Sequence, residues 1–232
     1  MAKEGLILVL IGLVVAVALL WSANKWDNHT MFAFSLLAAA LTMFVVFFFR
    51  DPERTITPPP EAVVSPADGK ILAIEEMLNH PYAGARAVKV SIFLSIFDVH
   101  VNRVPVSGVV EYVNYNRGKF FAAFQKKASE LNEQTEIGMT DNTGRRVVVR
   151  QIAGFIARRI VCHLKVGDRV TVGDRFGMIR FGSRTELILP SGTRIEGRPG
   201  DHVRGGSSII GYLDTLSASP SAAGAEGGEN AH

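Results

Sequence analysis

Cysteine is almost absent from this sequence of 232 residues, which contains only Cys162. A lone cysteine cannot form an intramolecular disulfide, and it excludes the paired CxxC spacing of zinc and thiol-redox sites. Neighbouring residues of a strand point to opposite faces, so a reactive pair with His163 is disfavoured and Cys162 is interpreted as a buried structural residue. The chain also lacks an HExxH pair, a Gly-rich phosphate loop and any Cys/His metal spacing, and we expect no metal ion.

A marked excess of positive charge is missing as well. Lys and Arg number 25 against 22 Asp and Glu, which gives a net charge of +3. Nucleic-acid-binding proteins carry a concentrated basic surface, whereas the basic residues here are scattered. We therefore expect no nucleic-acid partner, while a mildly basic face toward anionic lipid remains compatible with this balance.

Charged residues are absent from two long runs, one between Leu6 and Trp21 and the other between Met31 and Phe49. Each run is close to the length that crosses a hydrocarbon core about 30 Å thick. Lys3 precedes the first run as in a signal peptide, but no small-x-small cleavage pattern follows it. Because a second run comes after only a short polar loop, residues 1–50 are predicted to form a two-helix transmembrane hairpin.

The flanking charges predict the orientation of this hairpin. Lys3, Arg50 and Arg54 lie at its outer ends, whereas the loop carries only Lys25. Positive residues favour the cytoplasmic side, so both ends of the hairpin are expected there. The predicted location is the cell (inner) membrane, with the domain that follows the hairpin on the cytoplasmic face.

The rest of the chain divides into three parts. Residues 51–61 contain a Thr-Pro-Pro-Pro run that cannot continue a helix, and they are predicted to be a stiff Pro-rich linker. Residues 62–216 have the composition of one compact domain. Residues 217–232 are mostly Ser, Ala, Gly and Pro, and we expect a disordered tail.

The domain is predicted to be mainly β, a small sandwich or barrel of short strands with one or two short helices. Four segments have the composition or alternation of strands: Ala87–Phe97, Val106–Tyr115, Arg145–Ile152 and Val161–Leu164. Two Gly-Asp turns, at 167–168 and 173–174, are predicted to close tight β-hairpins. The helix prediction falls on Phe120–Leu131, where apolar residues share one face.

Three short segments contain polar residues among turns and apolar strands: Ser65–Gly69, Phe97–Asn102 and Arg180–Thr185. Singly, each has a plainer interpretation, such as an Asx turn for Asp68 or a core histidine for His100. Together, a Ser, a His and an Asp from separate strand ends can form a relay. In such a relay Asp orients His, and His takes the hydroxyl proton of Ser.

These residues also carry a resemblance to a known family. From about Asp51 to Leu216, and including the apolar runs before it, the chain resembles phosphatidylserine decarboxylases of the short bacterial and archaeal type. The matching motifs are Ser65-Pro66-Ala67-Asp68-Gly69, Phe97-Asp98-Val99-His100-Val101-Asn102-Arg103, Gln151-Ile152-Ala153-Gly154-Phe155-Ile156-Ala157-Arg158-Arg159 and Phe176-Gly177-Met178-Ile179-Arg180-Phe181-Gly182-Ser183.

The resemblance implies a self-processing lyase. Family members are proenzymes, or zymogens, that cut themselves at a Gly-Ser bond, here Gly182-Ser183. Ser183 becomes a pyruvoyl group, which forms a Schiff base with the amine of phosphatidylserine and supports its decarboxylation to phosphatidylethanolamine in phospholipid biosynthesis. A large subunit, 1–182, and a small subunit, 183–232, would associate as a heterodimer, and a higher oligomer is left open.

The resemblance also assigns roles to individual residues. His100 would take the hydroxyl proton of Ser183, and Asp68 would fix the histidine tautomer and stabilise the imidazolium. Some longer family members have a second histidine where this chain has Arg103, which could instead pair with the phosphate or carboxylate of the substrate. No role is assigned to Arg184 or Thr185.

Two other functions remain open at this point. A membrane-anchored serine hydrolase could use Ser183, His100 and Asp68 without self-cleavage, although no Gly-x-Ser-x-Gly elbow surrounds Ser183. A non-catalytic lipoyl-carrier-like binding module would present a lysine at a hairpin tip, whereas Lys165 precedes its turn. Only the decarboxylase, and not the carrier, is expected to cut itself into two chains. Only the decarboxylase, and not the hydrolase, is expected to be inactivated by carbonyl reagents.

Overall fold

A computed structural model describes residues 1–123, 125, 128–154, 159–180 and 182–214. The predicted tail at 217–232 lies outside the described residues. The chain begins with a short 3-10 helix, Lys3–Gly5, which is followed by helix α1, Leu6–Lys25, and helix α2, His29–Phe48.

Helices α1 and α2 form an antiparallel pair at the N-terminus. Each has 20 residues and is therefore about 30 Å long, enough to cross a hydrocarbon core. Their outer side chains are mostly apolar and exposed, as at Leu10 (60%) and Met43 (71%), which suits a lipid environment rather than water. The predicted pair of apolar helices, long enough to span a membrane, is confirmed.

The remainder of the described chain is mainly β, as predicted, with one short helix, α3, Ala128–Leu131. The strands are β1 Ala62–Val64, β2 Gly69–His80, β3 Gly84–Leu94, β4 Val101–Arg103, β5 Gly108–Asn116, β6 Gln134–Asp141, β7 Arg146–Ile152, β8 Ile160–Cys162, β9 Arg169–Val170, β10 Arg175–Ile179, β11 Ser183–Pro190, β12 Arg194–Ile195, β13 His202–Val203 and β14 Ile209–Tyr212.

These strands form three sheets. The largest has the order β13-β2-β3-β11-β7-β6-β5-β9, and two three-stranded sheets have the orders β4-β10-β8 and β1-β14-β12. The main core consists of fully buried aliphatic side chains such as Ile71, Ile92, Ile137, Val149 and Leu187. Burying each such side chain stabilises the fold by about 1.5–3 kcal/mol.

The predicted hairpins at the Gly-Asp turns are wrong. Both turns are present, and Gly167 and Gly173 have the positive φ angles that such turns require. However, β9 lies between the turns and pairs with β5 of the large sheet, whereas β8 and β10 pair with each other in a small sheet. Each turn therefore carries the chain from one sheet to another instead of joining paired neighbours.

The predicted helix at Phe120–Leu131 is confirmed only at its C-terminal end. Only Ala128–Leu131 is helical, and residues 124, 126 and 127 lie outside the described residues. The side chain of Asn132 accepts a hydrogen bond from the backbone N–H of Phe121 (2.8 Å) and donates one to its carbonyl (2.7 Å). This side-chain pairing replaces the backbone bonds that a helix would make.

The C-terminal end of α2 is packed into the β domain. Phe48 and Phe49 are fully buried, in one cluster with Val99, Val101 and Met178. The following segment, 51–61, contains no helix or strand. It is tied down by the Asp51 carboxylate, which accepts hydrogen bonds from Arg103 and Arg175.

Candidate active site

The candidate residues Asp68 and Ser183 lie at one end of the large sheet, around β3. This strand pairs antiparallel with β2 on one side and with β11 on the other. The register places Ser183 opposite Leu94, and Lys70 opposite Phe93. Ser183 therefore begins β11 at the same end of the sheet at which Asp68 precedes β2.

His100 lies on a connection that runs beside the Gly182-Ser183 bond. After Leu94 the chain leaves the large sheet and enters β4, whose first residue, Val101, pairs with Met178 of β10. From β10 the chain returns to the large sheet and enters β11 at Ser183. The connection from β3 to β4 carries His100, and the connection from β10 to β11 carries Gly182. Because β3 pairs with β11 and β4 pairs with β10, both connections run between the same two pairs of strands.

The ring of His100 is held in one orientation and is fully buried. Its Nδ1 lies 2.9 Å from the carbonyl oxygen of Asp98. A carbonyl can only accept, so Nδ1 carries the proton and Nε2 carries the free lone pair. Nε2 is buried and has no hydrogen-bond partner, which leaves it available as a base.

Burial lowers the pKa of His100 to about 4, because the charged imidazolium would lose its hydration. The hydrogen bond to Asp98 opposes this shift, the positive charge of Arg50 adds to it, and the negative charge of Asp68 opposes it. The imidazole is therefore neutral at physiological pH, which is the state that a general base requires.

Ser183 provides the second unpartnered atom of the site. The residue is fully buried, and its Oγ has no hydrogen-bond partner. The preceding Gly182 has a φ of +64°, in the left-handed region, and nothing lies within 4 Å of the position that a Cβ would occupy. Glycine is the residue that adopts this conformation readily, and it leaves the carbonyl of the bond open to attack.

Asp68 is held by other partners than the sequence led us to expect. Its carboxylate forms a bidentate ion pair with Arg54 and accepts a hydrogen bond from the backbone N–H of Gly205 (2.8 Å). It makes no hydrogen bond to His100, whose Nδ1 is bound by the Asp98 carbonyl. Asp68 therefore acts on the imidazole through its charge, which raises the pKa of His100.

The sequence does not predict that an aromatic side chain, that of Phe48, belongs to the site. The ring of Phe48 lies against the ring of His100, with centroids 4.2 Å apart. Phe48 is the last residue of α2, so the helical pair itself shields the imidazole from water. A charge-free apolar run predicts a lipid-facing helix, and only the three-dimensional packing reveals that its final residue belongs to the site.

A buried polar network fixes β4 against β11. Asn102 donates a hydrogen bond to the Thr185 hydroxyl (3.3 Å), and Gln151 donates one to Asn102 (2.8 Å). Asn102 and Thr185 stand two residues after His100 and Ser183 respectively. The network therefore fixes the distance between the two connections that carry the site.

The opposite face of β11 carries a buried charge cluster. The fully buried carboxylate of Glu186 accepts hydrogen bonds from Ser129 (2.6 Å) and Arg150 (3.1 Å), and Arg184 donates to Ser129 (2.6 Å). Arg184 and Thr185, which received no role from the sequence, thus anchor the strand on its two faces. Their contacts hold the segment that begins with Ser183 in place.

Two other residues discussed above are used structurally. Arg103 is buried and donates to the backbone carbonyls of Gly173 (2.9 Å) and Pro52 (2.8 Å), so its guanidinium fastens the segment after α2 rather than facing a substrate. Burial raises the pKa of the Cys162 thiol, which disfavours the reactive thiolate and agrees with a structural cysteine.

The family model and the similar proteins all indicate the same family. The sequence matches the family model described as Phosphatidylserine decarboxylase over residues 41–211, which includes all the site residues described above. A protein of Carboxydothermus hydrogenoformans named phosphatidylserine decarboxylase proenzyme is 51% identical over 183 residues, covering 78% of this chain and 85% of the relative. Proteins with the same name from Symbiobacterium thermophilum and Desulfotalea psychrophila are 46% and 43% identical over 212 residues, covering 91% of this chain and 95% and 96% of the relatives.

Proposed function

This chain belongs to the phosphatidylserine decarboxylase family, and from that membership we propose that it makes its own catalytic group by cutting itself between Gly182 and Ser183. The family function is the decarboxylation of phosphatidylserine, and the relatives are named proenzymes. The observation that carries the proposal is the pair of buried, unpartnered atoms, Ser183 Oγ and His100 Nε2, on adjacent connections.

Self-cleavage follows from the chemistry of these two groups. His100 Nε2 takes the hydroxyl proton as Ser183 Oγ attacks the carbonyl carbon of Gly182. The peptide C–N bond breaks, the nitrogen of residue 183 receives the proton from His100, and Gly182 is left joined to Oγ as an ester. Loss of the α-proton of residue 183 expels the Gly182 carboxylate and leaves a dehydroalanine. Water then replaces its nitrogen, which leaves as ammonia, and residue 183 becomes a pyruvoyl group.

The residues around position 183 fit a pyruvoyl group. Oγ makes no hydrogen bond, so eliminating it costs the surrounding structure no polar contact, and the space beside Gly182 is open. The ketone of such a group supplies the electron sink needed to remove a carboxylate from an amino acid headgroup. In this proposal, His100 Nε2 also returns a proton to the substrate carbon after carbon dioxide has left.

The two products of cleavage are expected to stay together as a heterodimer. Strand β11, at the start of the fragment 183–232, lies between β3 and β7 and pairs with β3 along its whole length. Strands β13 and β14 of the same fragment pair with β2 and β1 of the fragment 1–182. Separating the subunits would therefore expose the centre of the main sheet.

The hairpin suits a substrate that stays in the bilayer. Because Phe48 ends α2 and packs on His100, the site lies directly beneath the membrane surface, where a lipid headgroup can reach it. The cationic ends Lys3, Arg50 and Arg54, against Lys25 in the loop, support an orientation with the catalytic domain on the cytoplasmic face of the cell membrane.

Hydroxylamine tests the proposed function against the serine hydrolase. The purified full-length protein should release carbon dioxide from phosphatidylserine vesicles and lose this activity after treatment with hydroxylamine, because only a ketone at residue 183 reacts with it. Decarboxylation that survives the reagent would contradict the pyruvoyl group, whereas release of fatty acid or headgroup without carbon dioxide would support the hydrolase.

Removal of the hairpin should separate processing from access to lipid. A truncation of residues 1–44 keeps Phe48 and Phe49 at the site, so self-cleavage should proceed. Turnover of vesicle phosphatidylserine should fall by about tenfold or more, because the anchor no longer concentrates the enzyme at its substrate. Carbon dioxide release from vesicles and from monomeric short-chain phosphatidylserine measures the two effects separately.

The control for this experiment is a longer truncation, of residues 1–50. It also removes Phe48 and Phe49, exposes His100 to water, and should impair self-cleavage. Equal vesicle turnover by the 1–44 truncation and the full chain would contradict the role assigned to the hairpin.

A further inference from the structure

Arg180 lies between the membrane hairpin and the reactive bond. It follows the last residue of β10 and precedes Ser183 by three positions. Its guanidinium carbon lies 5.6 Å from the centre of the Phe49 ring. That ring contacts Phe48, which in turn lies against His100. A chain of three ring contacts therefore connects the Arg180 cation with His100.

The guanidinium of Arg180 makes no hydrogen bond to any of the described residues. Its Nε is buried without a partner, and no carboxylate of the described residues pairs with it. The neighbouring Arg50 differs, since it donates to the backbone carbonyls of Phe47 and Phe97. A buried guanidinium N–H without an acceptor is costly, so the geometry calls for an acceptor that comes from outside the chain.

The position of this cation indicates what kind of acceptor reaches it. Phe49 directly follows α2, and the end of a membrane-spanning helix lies at the level of the lipid headgroups. A planar guanidinium binds phosphate oxygens through two parallel hydrogen bonds. The anion available at this depth, next to residue 183, is the phosphodiester of a phospholipid.

We propose that Arg180 binds the phosphodiester of the lipid substrate and thereby positions its amino acid headgroup at residue 183. This proposal rests on the proposed function. It makes Arg180 a specificity-determining residue that distinguishes phosphatidylserine from serine derivatives without a phosphate. The proposal assigns Arg180 to the phosphate of the substrate and not to its carboxylate. Binding of the product phosphatidylethanolamine distinguishes the two, because this lipid retains the phosphate but has lost the carboxylate.

The test compares Arg180→Met and Arg180→Lys with the control Arg194→Met in the full chain. Arg194 also stacks on an aromatic ring, that of Tyr212 (4.7 Å), but it is exposed, pairs with Glu196 and belongs to the small sheet β1-β14-β12. The measurements are kcat and KM for short-chain phosphatidylserine, with kcat normalised to the self-cleaved fraction, and the binding of short-chain phosphatidylethanolamine by calorimetry. Inorganic phosphate is included as a competitor.

We expect Arg180→Met to raise the KM and to weaken phosphatidylethanolamine binding by about ten- to a hundredfold, as for the loss of a hydrogen-bonded charge. Arg180→Lys should recover part of this loss, and Arg194→Met should match the wild type. Phosphate should compete with either lipid in the wild type and lose this effect in Arg180→Met. If Arg180→Met is not processed, the same binding comparison is made in the Ser183→Ala background.

Three results would overturn the proposal. One is lipid binding by Arg180→Met equal to that of Arg194→Met in both backgrounds. Another is weakened use of phosphatidylserine with unchanged binding of phosphatidylethanolamine, which would assign Arg180 to the carboxylate. The third is competition by free phosphate alone, with no effect of the substitution on either lipid. Failure of the wild type to release carbon dioxide would instead contradict the proposed function, because the binding comparison does not depend on turnover.

Discussion

Replacement of Ser183 by alanine is expected to leave the protein as one uncut chain of 25.2 kDa without decarboxylase activity. Alanine removes the Oγ that attacks Gly182, and no pyruvoyl group can then arise from residue 183. Loss of a covalent nucleophile lowers the rate by about 10³-fold or more. Denaturing electrophoresis and carbon dioxide release measure the two losses.

A matched control for this substitution lies just beyond the other end of the same strand. Ser191 follows β11 and is exposed, so Ser191→Ala should be cleaved and active like the wild type. Because Ser183 is buried without a hydrogen-bond partner, its replacement by alanine breaks no polar contact, and the folded state should persist. Two fragments from Ser183→Ala would contradict the assignment of the nucleophile.

Replacement of His100 by glutamine is expected to slow self-cleavage by about 10²- to 10⁴-fold, the usual contribution of a general base. Glutamine can still donate to the Asp98 carbonyl, but it offers no basic nitrogen to the Ser183 hydroxyl. The rate is measured on newly translated protein as the appearance of the small fragment. His163→Gln is the control, since the His163 side chain is 65% exposed and pairs with Glu4; equal cleavage rates for the two variants would rule out His100 as the base.

The pH dependence of cleavage gives an independent test of the same role. With a pKa lowered to about 4 by burial, His100 stays neutral from physiological pH down to about pH 5. The base is lost only as the pH falls through about 4. An unshifted histidine would instead lose half of its neutral form near pH 6.5. Cleavage that declines around pH 6.5 would show that the base is exposed to water, against the packing of Phe48 on its ring.

The parts of the fold that the sequence predicts are those set by local pattern. The two long charge-free runs predict α1 and α2 because length and hydropathy are properties of contiguous residues. Strand partners are different, because pairing joins segments far apart in the chain. The two Gly-Asp turns illustrate this: their residues predict turns correctly, while the partner of β9 is β5, about sixty residues away in sequence.

The candidate site shows the same difference between features set by local sequence and features set by contacts between distant segments. Polar residues in short motifs indicate Ser183, His100 and Asp68, whereas the groups that hold these residues have no recognisable sequence pattern. His100 is oriented by a backbone carbonyl, that of Asp98, and any residue type can supply one. Arg54, which binds Asp68, looks in the sequence like a flanking charge of the membrane segment.

The identity of the first residue of the small fragment tests the central claim most directly. Intact-mass spectrometry of the purified, active wild type should show two chains, 1–182 and 183–232, with the smaller one lighter by one ammonia than a fragment that begins with serine. That mass, together with its absence from Ser183→Ala, is the result that a pyruvoyl group made from Ser183 predicts. A small fragment that begins with an intact serine, or an active protein that remains a single chain, would contradict the account.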